Sequence, residues 1–316
     1  MPLSKADIQA LLKHNRPNLS KSSLTSYSST IFNILKKHDI DDLKTLNKHQ
    51  DQILDAMKGL SESSRKTKLA GLYILTDNIK FKDQMNKDAK IVNDNYKLQT
   101  KNEKEIKNWI SFDEIKAIVA KQQELANIAL KNFEKTNNEL PIVNYLIVGL
   151  LSGALGVYPR RSLDYCNFKI KNINPDTDNY FNVKKNEFVF NSYKTKRKYG
   201  KQLIKVENPA LIAFLKTWIK KSKNDYLLYS SNGNPLLPPQ ITHRLNHMFG
   251  RSASVDAIRH SFLTDLLLNN RTMMPSIQEL EHIALRMATS PGMVLQYVKY
   301  PDNNKEVESD YSDGAL

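Results

Sequence analysis

Residues 141–164 read PIVNYLIVGLLSGALGVYPRRSLD, and two interpretations of this stretch lead to different proteins. From Pro141 to Tyr158 it is apolar for nearly the ~20 residues that cross a bilayer. Asn144, Ser152 and the glycines Gly149, Gly153 and Gly156 interrupt it, and the chain has no second run of this kind. A buried core helix that ends in a tight turn fits better. That turn delivers Tyr158-Pro159-Arg160-Arg161-Ser162-Leu163-Asp164, a basic pair on the shoulder of a core element.

Working outward, Ser111-Phe112-Asp113-Glu114 has the form of a capping box, and Ile115, Ile118, Val119 and Leu125 continue an amphipathic helix. Beyond the arginine pair the period shortens. Phe188–Tyr193 and Gln202–Val206 are β-like runs around Lys194-Thr-Lys-Arg-Lys-Tyr-Gly200, which predicts a hairpin with a strongly basic tip. Asn208-Pro209 reopens helix, a cap residue followed by proline at the first helical position. Further helices are expected over 240–249, 255–268, 277–287 and 293–299. Upstream, the first ~85 residues form short helices over 20–38, 42–57 and 61–77. In the last of these Leu69, Leu72 and Tyr73 face inward while Arg65, Lys66 and Lys68 form a basic flank. The fold class expected is mainly α with a small antiparallel sheet (α+β). It divides into a helical domain at 1–85, a polar linker at 86–108, a second domain at 109–300 and a flexible acidic tail at 301–316. No internal repeat is present.

Charge narrows the partner. Across 316 residues, 47 Lys and Arg against 33 Asp and Glu leave a net +14, on an otherwise ordinary globular composition with 40% hydrophobic and 25% charged residues. Such a surplus attracts polyanions through counterion release, so nucleic acid leads, although ribosome or anionic-membrane binding would share the signature. The single cysteine, Cys166, provides neither a disulfide framework nor a thiol zinc site and points to a reducing compartment. The opening MPLSKADIQALLKHN has no apolar signal-peptide core, so an intracellular, non-secreted protein is expected. No carboxylate cluster indicates Mg²⁺; neither metal nor cofactor is expected.

Four segments then stand in a telling order: the Arg160-Arg161 turn, the Lys194–Lys196 hairpin, Ala257-Ile258-Arg259-His260-Ser261-Phe262, and Met287-Ala288-Thr289-Ser290 followed by Gln296-Tyr297-Val298-Lys299-Tyr300. Over roughly residues 109–300 this resembles the tyrosine recombinase (phage-type integrase) family. That family places an arginine on a post-helix turn, a lysine on a hairpin, a His-x-x-Arg-His box and a Gly-His-Ser box before a nucleophilic tyrosine. The N-terminal region resembles the family's core-binding domain by position and character. The proline–arginine turn and the short gap to the tyrosine look most like recombinases of eukaryotic viruses, virophages and related mobile elements. That would place the protein in a host nucleus or cytoplasmic viral factory.

The residue types suit the chemistry. Phosphodiester cleavage needs an in-line nucleophile and positive charge on the equatorial oxygens, and guanidiniums supply planar, permanently charged forks. A phosphotyrosine conserves bond energy, so religation needs no ATP. The resemblance assigns Arg161 as first phosphate clamp, since Asp164 follows three residues later, with Arg160 as alternate. It assigns Lys194 as general acid with Lys196 second, Arg259 as second clamp, and Tyr297 as nucleophile with Tyr300 as competitor. Asp256 and Thr289 stand where the family has histidines; with His260 they are accessory candidates. Arg65, Lys66, Lys68, Lys196, Arg197 and Lys198 are the expected DNA contacts, double-stranded DNA the partner, and a DNA-assembled homotetramer the implied active form. Taken singly, each feature has a bland reading: a solvated arginine pair, a solvated lysine tip, a tyrosine in the core. Two rival functions stay open, a DNA-binding protein without turnover and a type IB topoisomerase.

Overall fold

Short polar residues open the helices. Ser4, Ser20, Asp42, Ser61 and Asn78 each sit in extended backbone and accept a hydrogen bond from a backbone N–H of the first turn. They start α1 (Lys5–Asn15), α2 (Lys21–Lys37), α3 (Leu43–Lys48), α5 (Glu62–Thr76) and α6 (Ile79–Lys97), with α4 at Gln50–Ala56. The computed structural model describes residues 3–269 and 273–300; the expected acidic tail, 301–316, lies outside the described residues. The chain divides into two compact units, Met1–Leu98 and Gln99–Leu316.

In the first unit Ile8, Leu12, Ile31, Leu35, Leu69, Leu72 and Phe81 share one core. Two local expectations change. The helix expected over 42–57 breaks at His49, which leaves helical geometry and turns its Nδ1 back to the Thr45 carbonyl at 2.8 Å. The stretch read as linker from residue 86 continues as α6 through Lys97. Lysines and asparagines mask its inward stripe, which consists of Phe81, Met85 and the buried carboxylate of Asp88. Arg65, expected on the basic flank, has partners within the unit. Its Nε and Nη2 grip Asp88 at 2.8 and 2.6 Å and Nη1 reaches the Leu60 carbonyl at 3.2 Å, so it ties α5 to α6. Lys66 and Lys68 are only partly exposed.

The second unit is built on α7 (Glu103–Asn108), α8 (Phe112–Lys131), α9 (Phe133–Thr136) and α10 (Leu140–Leu151). In α10 every residue from Ile142 to Leu151 except Asn144 is buried. Each large apolar side chain so buried stabilises by roughly 1.5–3 kcal/mol. Among the described residues no helix is long and apolar enough to cross a membrane. Ser111 caps α8 as expected, accepting from the Glu114 N–H at 3.2 Å. Glu114 does not close the box; its carboxylate pairs with Arg251 instead.

After α11 (Leu163–Cys166) come β1 (Phe168–Lys169), β2 (Asn179–Asn182), β3 (Glu187–Phe190), the one-turn α12 (Lys196–Tyr199) and β4 (Gln202–Lys205). The sheet order is β1-β2-β3-β4. It is mixed where an antiparallel one was expected, because β1 pairs parallel to β2, with Phe168 opposite Asn179. Asparagine at both ends of β2 hides it from propensity reading. Asn179 repairs its own edge: its amide donates to the Asp164 and Ser192 carbonyls at 2.8 and 2.7 Å and its oxygen accepts from two backbone N–H groups. Phe168, Phe188 and Phe190 pack around Tyr165, mostly edge to face. The remaining helices are α13 (Pro209–Lys221), α14 (Pro238–Phe249), α15 (Val255–Thr264) running into a π turn (Asp265–Asn269), α16 (Ile277–Arg286) and α17 (Pro291–Tyr297). The protein is thus mostly helical with a small four-stranded mixed sheet. A separate apolar cluster of Phe262, Leu263, Ile283, Met287, Val294 and Tyr297 joins α15, α16 and α17.

Candidate active site

The turn after α10 is pressed onto α15. Gly153 has φ +85°, and a Cβ there would lie 2.2 Å from the Phe262 ring; only glycine permits both the left-handed backbone and the approach. Tyr158 then stacks edge-on against the same ring at 5.2 Å. The chain emerging from the turn therefore meets the helix that carries Arg259.

The two arginines of the turn have different fates. Arg160 is 1% exposed. Its Nε donates to Asp164 Oδ2 at 2.9 Å, its Nη1 to Gln202 Oε1 at 2.8 Å and to the Arg286 carbonyl at 3.2 Å, and the guanidinium lies 4.0 Å over the Phe190 ring. It is an internal post binding α11, β4 and α16. Burial pushes the Asp164 carboxyl up, and Arg160, then Arg161 and Arg259, draw it back toward the charged form. Arg161 is partly exposed, and its Nη1 donates to the Ala288 carbonyl at 2.8 Å. Ala288 sits at φ +51°, a conformation that costs a non-glycine residue roughly 1–2 kcal/mol. Its carbonyl also accepts from Thr195 Oγ1 at 3.0 Å, which ties the basic hairpin turn to the residue holding Arg161.

Lys194 is exposed on that turn, between Thr195 and Tyr193, whose hydroxyl donates to the Gly200 carbonyl at 2.6 Å. Lys196, Arg197 and Lys198 are exposed on α12. Thr289 is buried next to Ala288, with its N–H donating to the Ala284 carbonyl at 2.9 Å.

At the centre, Arg259 is 0% exposed and Tyr297 9%. Arg259 Nη1 donates to the Tyr297 hydroxyl oxygen at 2.5 Å and to Asp256 Oδ1 at 3.3 Å. The Tyr297 hydroxyl in turn lies 3.4 Å from Asp256 Oδ1. The guanidinium also sits 4.3 Å over the tyrosine ring. Arg259 Nε and Nη2 are buried and have no hydrogen-bond partner among the described residues. Buried donors without partners are costly, about 1–3 kcal/mol each and more for a charged group, so this site suits an anion that takes them up. Burial raises the Tyr297 pKa; Arg259 pulls it back down, Asp256 pushes it up, and Arg161 lowers it more weakly. Burial likewise depresses Arg259, and Tyr297 and Asp256 offset it.

His260 follows Arg259 on α15. Its ring stands at a steep angle to the Tyr297 ring with centroids 4.8 Å apart, and Nδ1 donates to the Tyr297 carbonyl at 2.6 Å. Tyr300 has left the helix, and its N–H donates to the Gln99 carbonyl at 3.0 Å. Asp256 and Arg259 on α15 thus meet Tyr297 of α17 at its hydroxyl, with His260 against the tyrosine's ring and backbone carbonyl, while Arg161 and the Lys194 turn are joined to each other through the Ala288 carbonyl. Among the described residues no group of three or more His, Cys, Asp or Glu side chains converges as a metal site.

Two positioning residues carried no sequence signal. Gln202, on the short strand β4, links Arg160 to the Leu285 carbonyl at 3.1 Å. Arg286 covers Tyr158 at 4.2 Å and donates to the Gly156 carbonyl at 3.0 Å. Nothing in their neighbours' types marks them; they are recognised only by where their partners fall in space.

No family model matches the chain, and no curated protein matches it in sequence. Among solved structures the chain is similar to the crystal structure of XerA recombinase, at 13% identity and a TM-score of 0.43, with 95% of each chain covered.

Proposed function

We propose that this chain is a DNA strand transferase of the tyrosine recombinase type, with Tyr297 as nucleophile. One observation carries the reading: the Tyr297 hydroxyl lies 2.5 Å from a wholly buried guanidinium with two further donors unpaired among the described residues. A phosphate group, offering two oxygens, is the ligand such a fork takes bidentately. The net charge of +14 supports a polyanionic substrate.

In the proposed reaction the Tyr297 oxygen attacks the scissile phosphorus and its proton leaves, with Asp256 the adjacent acceptor. The bond to the 5′ oxygen breaks, and Lys194 protonates that oxygen as it departs as a hydroxyl. Arg161 and Arg259 neutralise the equatorial oxygens as charge builds there. The product is a 3′-phosphotyrosyl link, and attack by a second strand's 5′ hydroxyl reverses the steps without ATP. The guanidiniums supply the positive charge that the transition state requires. In this reading Lys196, Arg197 and Lys198, exposed on α12, track phosphates of double-stranded DNA. Site-specific integration of a viral or mobile genome by a DNA-assembled homotetramer, inside a host cell, extends the same reading. Its basis is the order of motifs in the sequence.

A specific observation favours a second reading, a DNA-binding protein without turnover: Asp256 pairs with Arg259 where a phosphate would compete. Trapping on a nicked duplex decides between them. A covalent protein–DNA adduct that disappears in Tyr297→Phe and persists in Tyr300→Phe supports strand transfer. DNA binding with no adduct under any condition supports the second reading, and relaxation of plasmid lacking a defined site points to a type IB topoisomerase.

A further inference from the structure

The helix carrying Tyr297 is only 7 residues long, too short to hold itself in place. Its C-terminal carbonyls are gripped from outside. The Gln99 side-chain amide donates to the Leu295 carbonyl at 2.5 Å and to that of Val298 at 3.4 Å, while the Gln99 carbonyl accepts from the Tyr300 N–H at 3.0 Å. Gln99 sits at φ +51°, an unfavourable conformation for a residue with a side chain. Two residues past the tyrosine, Lys299 is 6% exposed, an unusual burial for a lysine. Its Nζ donates to the Thr100 carbonyl at 3.0 Å and pairs with Glu105 Oε2 at 3.1 Å. Glu105 is itself fixed, since the same oxygen accepts from the Asn102 N–H at 2.9 Å in the capping box of α7. Its other oxygen lies 4.0 Å from Nε2 of His260, whose Nδ1 holds the Tyr297 carbonyl.

We propose that Gln99, Glu105 and Lys299, acting with His260, are positioning residues that set where the Tyr297 hydroxyl stands against Arg259. None of them touches the reacting atoms. They bind the backbone at 295, 297, 298 and 300 and anchor the side chain at 299, so releasing them frees the nucleophile's backbone while the Arg161 and Lys194 turns keep their own supports. The inference rests on the strand-transfer reading for its catalytic consequence alone; the placement of Tyr297 is a separate property of the fold.

The test uses the full chain carrying 3-fluorotyrosine at position 297, observed by fluorine NMR, together with single-turnover adduct formation on a nicked duplex. Gln99→Ala leaves no buried charge behind; Glu105→Gln combined with Lys299→Met removes both members of the ion pair together. In each, the fluorine resonance broadens and its titration moves toward that of free fluorotyrosine. The adduct rate falls on the order of 100-fold, the loss a misplacement near 1 Å produces, while DNA affinity stays at the wild-type value. Lys299→Arg, which keeps the charge, restores both signals. A Gln99→Ala resonance that titrates as in wild type overturns the proposal, as does a rate loss that merely follows a loss of DNA affinity. Absence of adduct from the wild-type chain would count against strand transfer, and the resonance would still decide the clamp.

Discussion

Replacing Arg160 or Arg161 with alanine removes the same chemical group from adjacent positions, and under the proposed reaction the two losses fall on different observables. Arg160 and Asp164 are 1% and 0% exposed and paired at 2.9 Å. Deleting one member of a buried pair strands the other and costs about 3–5 kcal/mol. For a unit of this size each kcal/mol lowers Tm by about 2–4 °C, so Arg160→Ala lowers the second unit's melting point by roughly 6–20 °C. Arg161 is partly exposed and donates one hydrogen bond, to the Ala288 carbonyl. Losing such a bond costs about 1.5–3 kcal/mol at most, less where water can replace it. The covalent adduct behaves the other way. Arg161→Ala stays folded yet forms no adduct, whereas Arg160→Ala forms adduct in proportion to its folded fraction. Arg160→Met combined with Asp164→Leu leaves no charge stranded and recovers much of the lost stability. Differential scanning calorimetry on the full chain and trapping on a nicked duplex read both quantities. An Arg160→Ala protein that melts like wild type but fails to form adduct would refute the division of labour argued here.

Lys194→Ala slows cleavage of ordinary DNA by about 10²–10⁴-fold, the usual contribution of a general acid. A bridging sulfur at the 5′ position leaves without protonation and restores the rate; equal slowing on both substrates removes Lys194 from that role. Gly153→Ala destabilises the second unit by roughly 2–5 kcal/mol, from left-handed backbone and overpacking together, because its Cβ would meet the Phe262 ring at 2.2 Å; denaturant titration measures this. Burial depresses the His260 pKa below its unfolded value near 6.5. The stability this contributes is present in full above that value and is lost as pH falls through the folded pKa. His260→Gln therefore loses less stability than wild type between about pH 7 and pH 5, as melting curves across that interval would show. Replacing Lys196, Arg197 and Lys198 with alanine flattens the salt dependence of DNA binding, by about 0.9 in log–log slope for each phosphate no longer neutralised; an unchanged slope places DNA elsewhere.

Local chemistry was legible in residue order. The core helix expected around 141–154, the basic hairpin around Lys194, the Asn208-Pro209 restart and the order from arginine to lysine to arginine to tyrosine all depend on neighbours a few positions apart, where period, caps and composition act. Strand β2 and the inward stripe of α6 were not legible. Asparagines and lysines dominate them, and a buried carboxylate such as Asp88 counts as core only once Arg65 is seen beside it. The difference between Arg160 and Arg161 lay equally out of reach. Both follow the same proline, and their roles separate only because Gln202 and the Arg286 carbonyl arrive beside one while the Ala288 carbonyl arrives beside the other. Sequence alone determined which residue types could carry phosphoryl chemistry and in what order they occur. Tertiary structure decided which of them share one low-dielectric space around the Tyr297 hydroxyl, because hydrogen bonds and desolvation act over ångströms in space, whatever the distance along the chain.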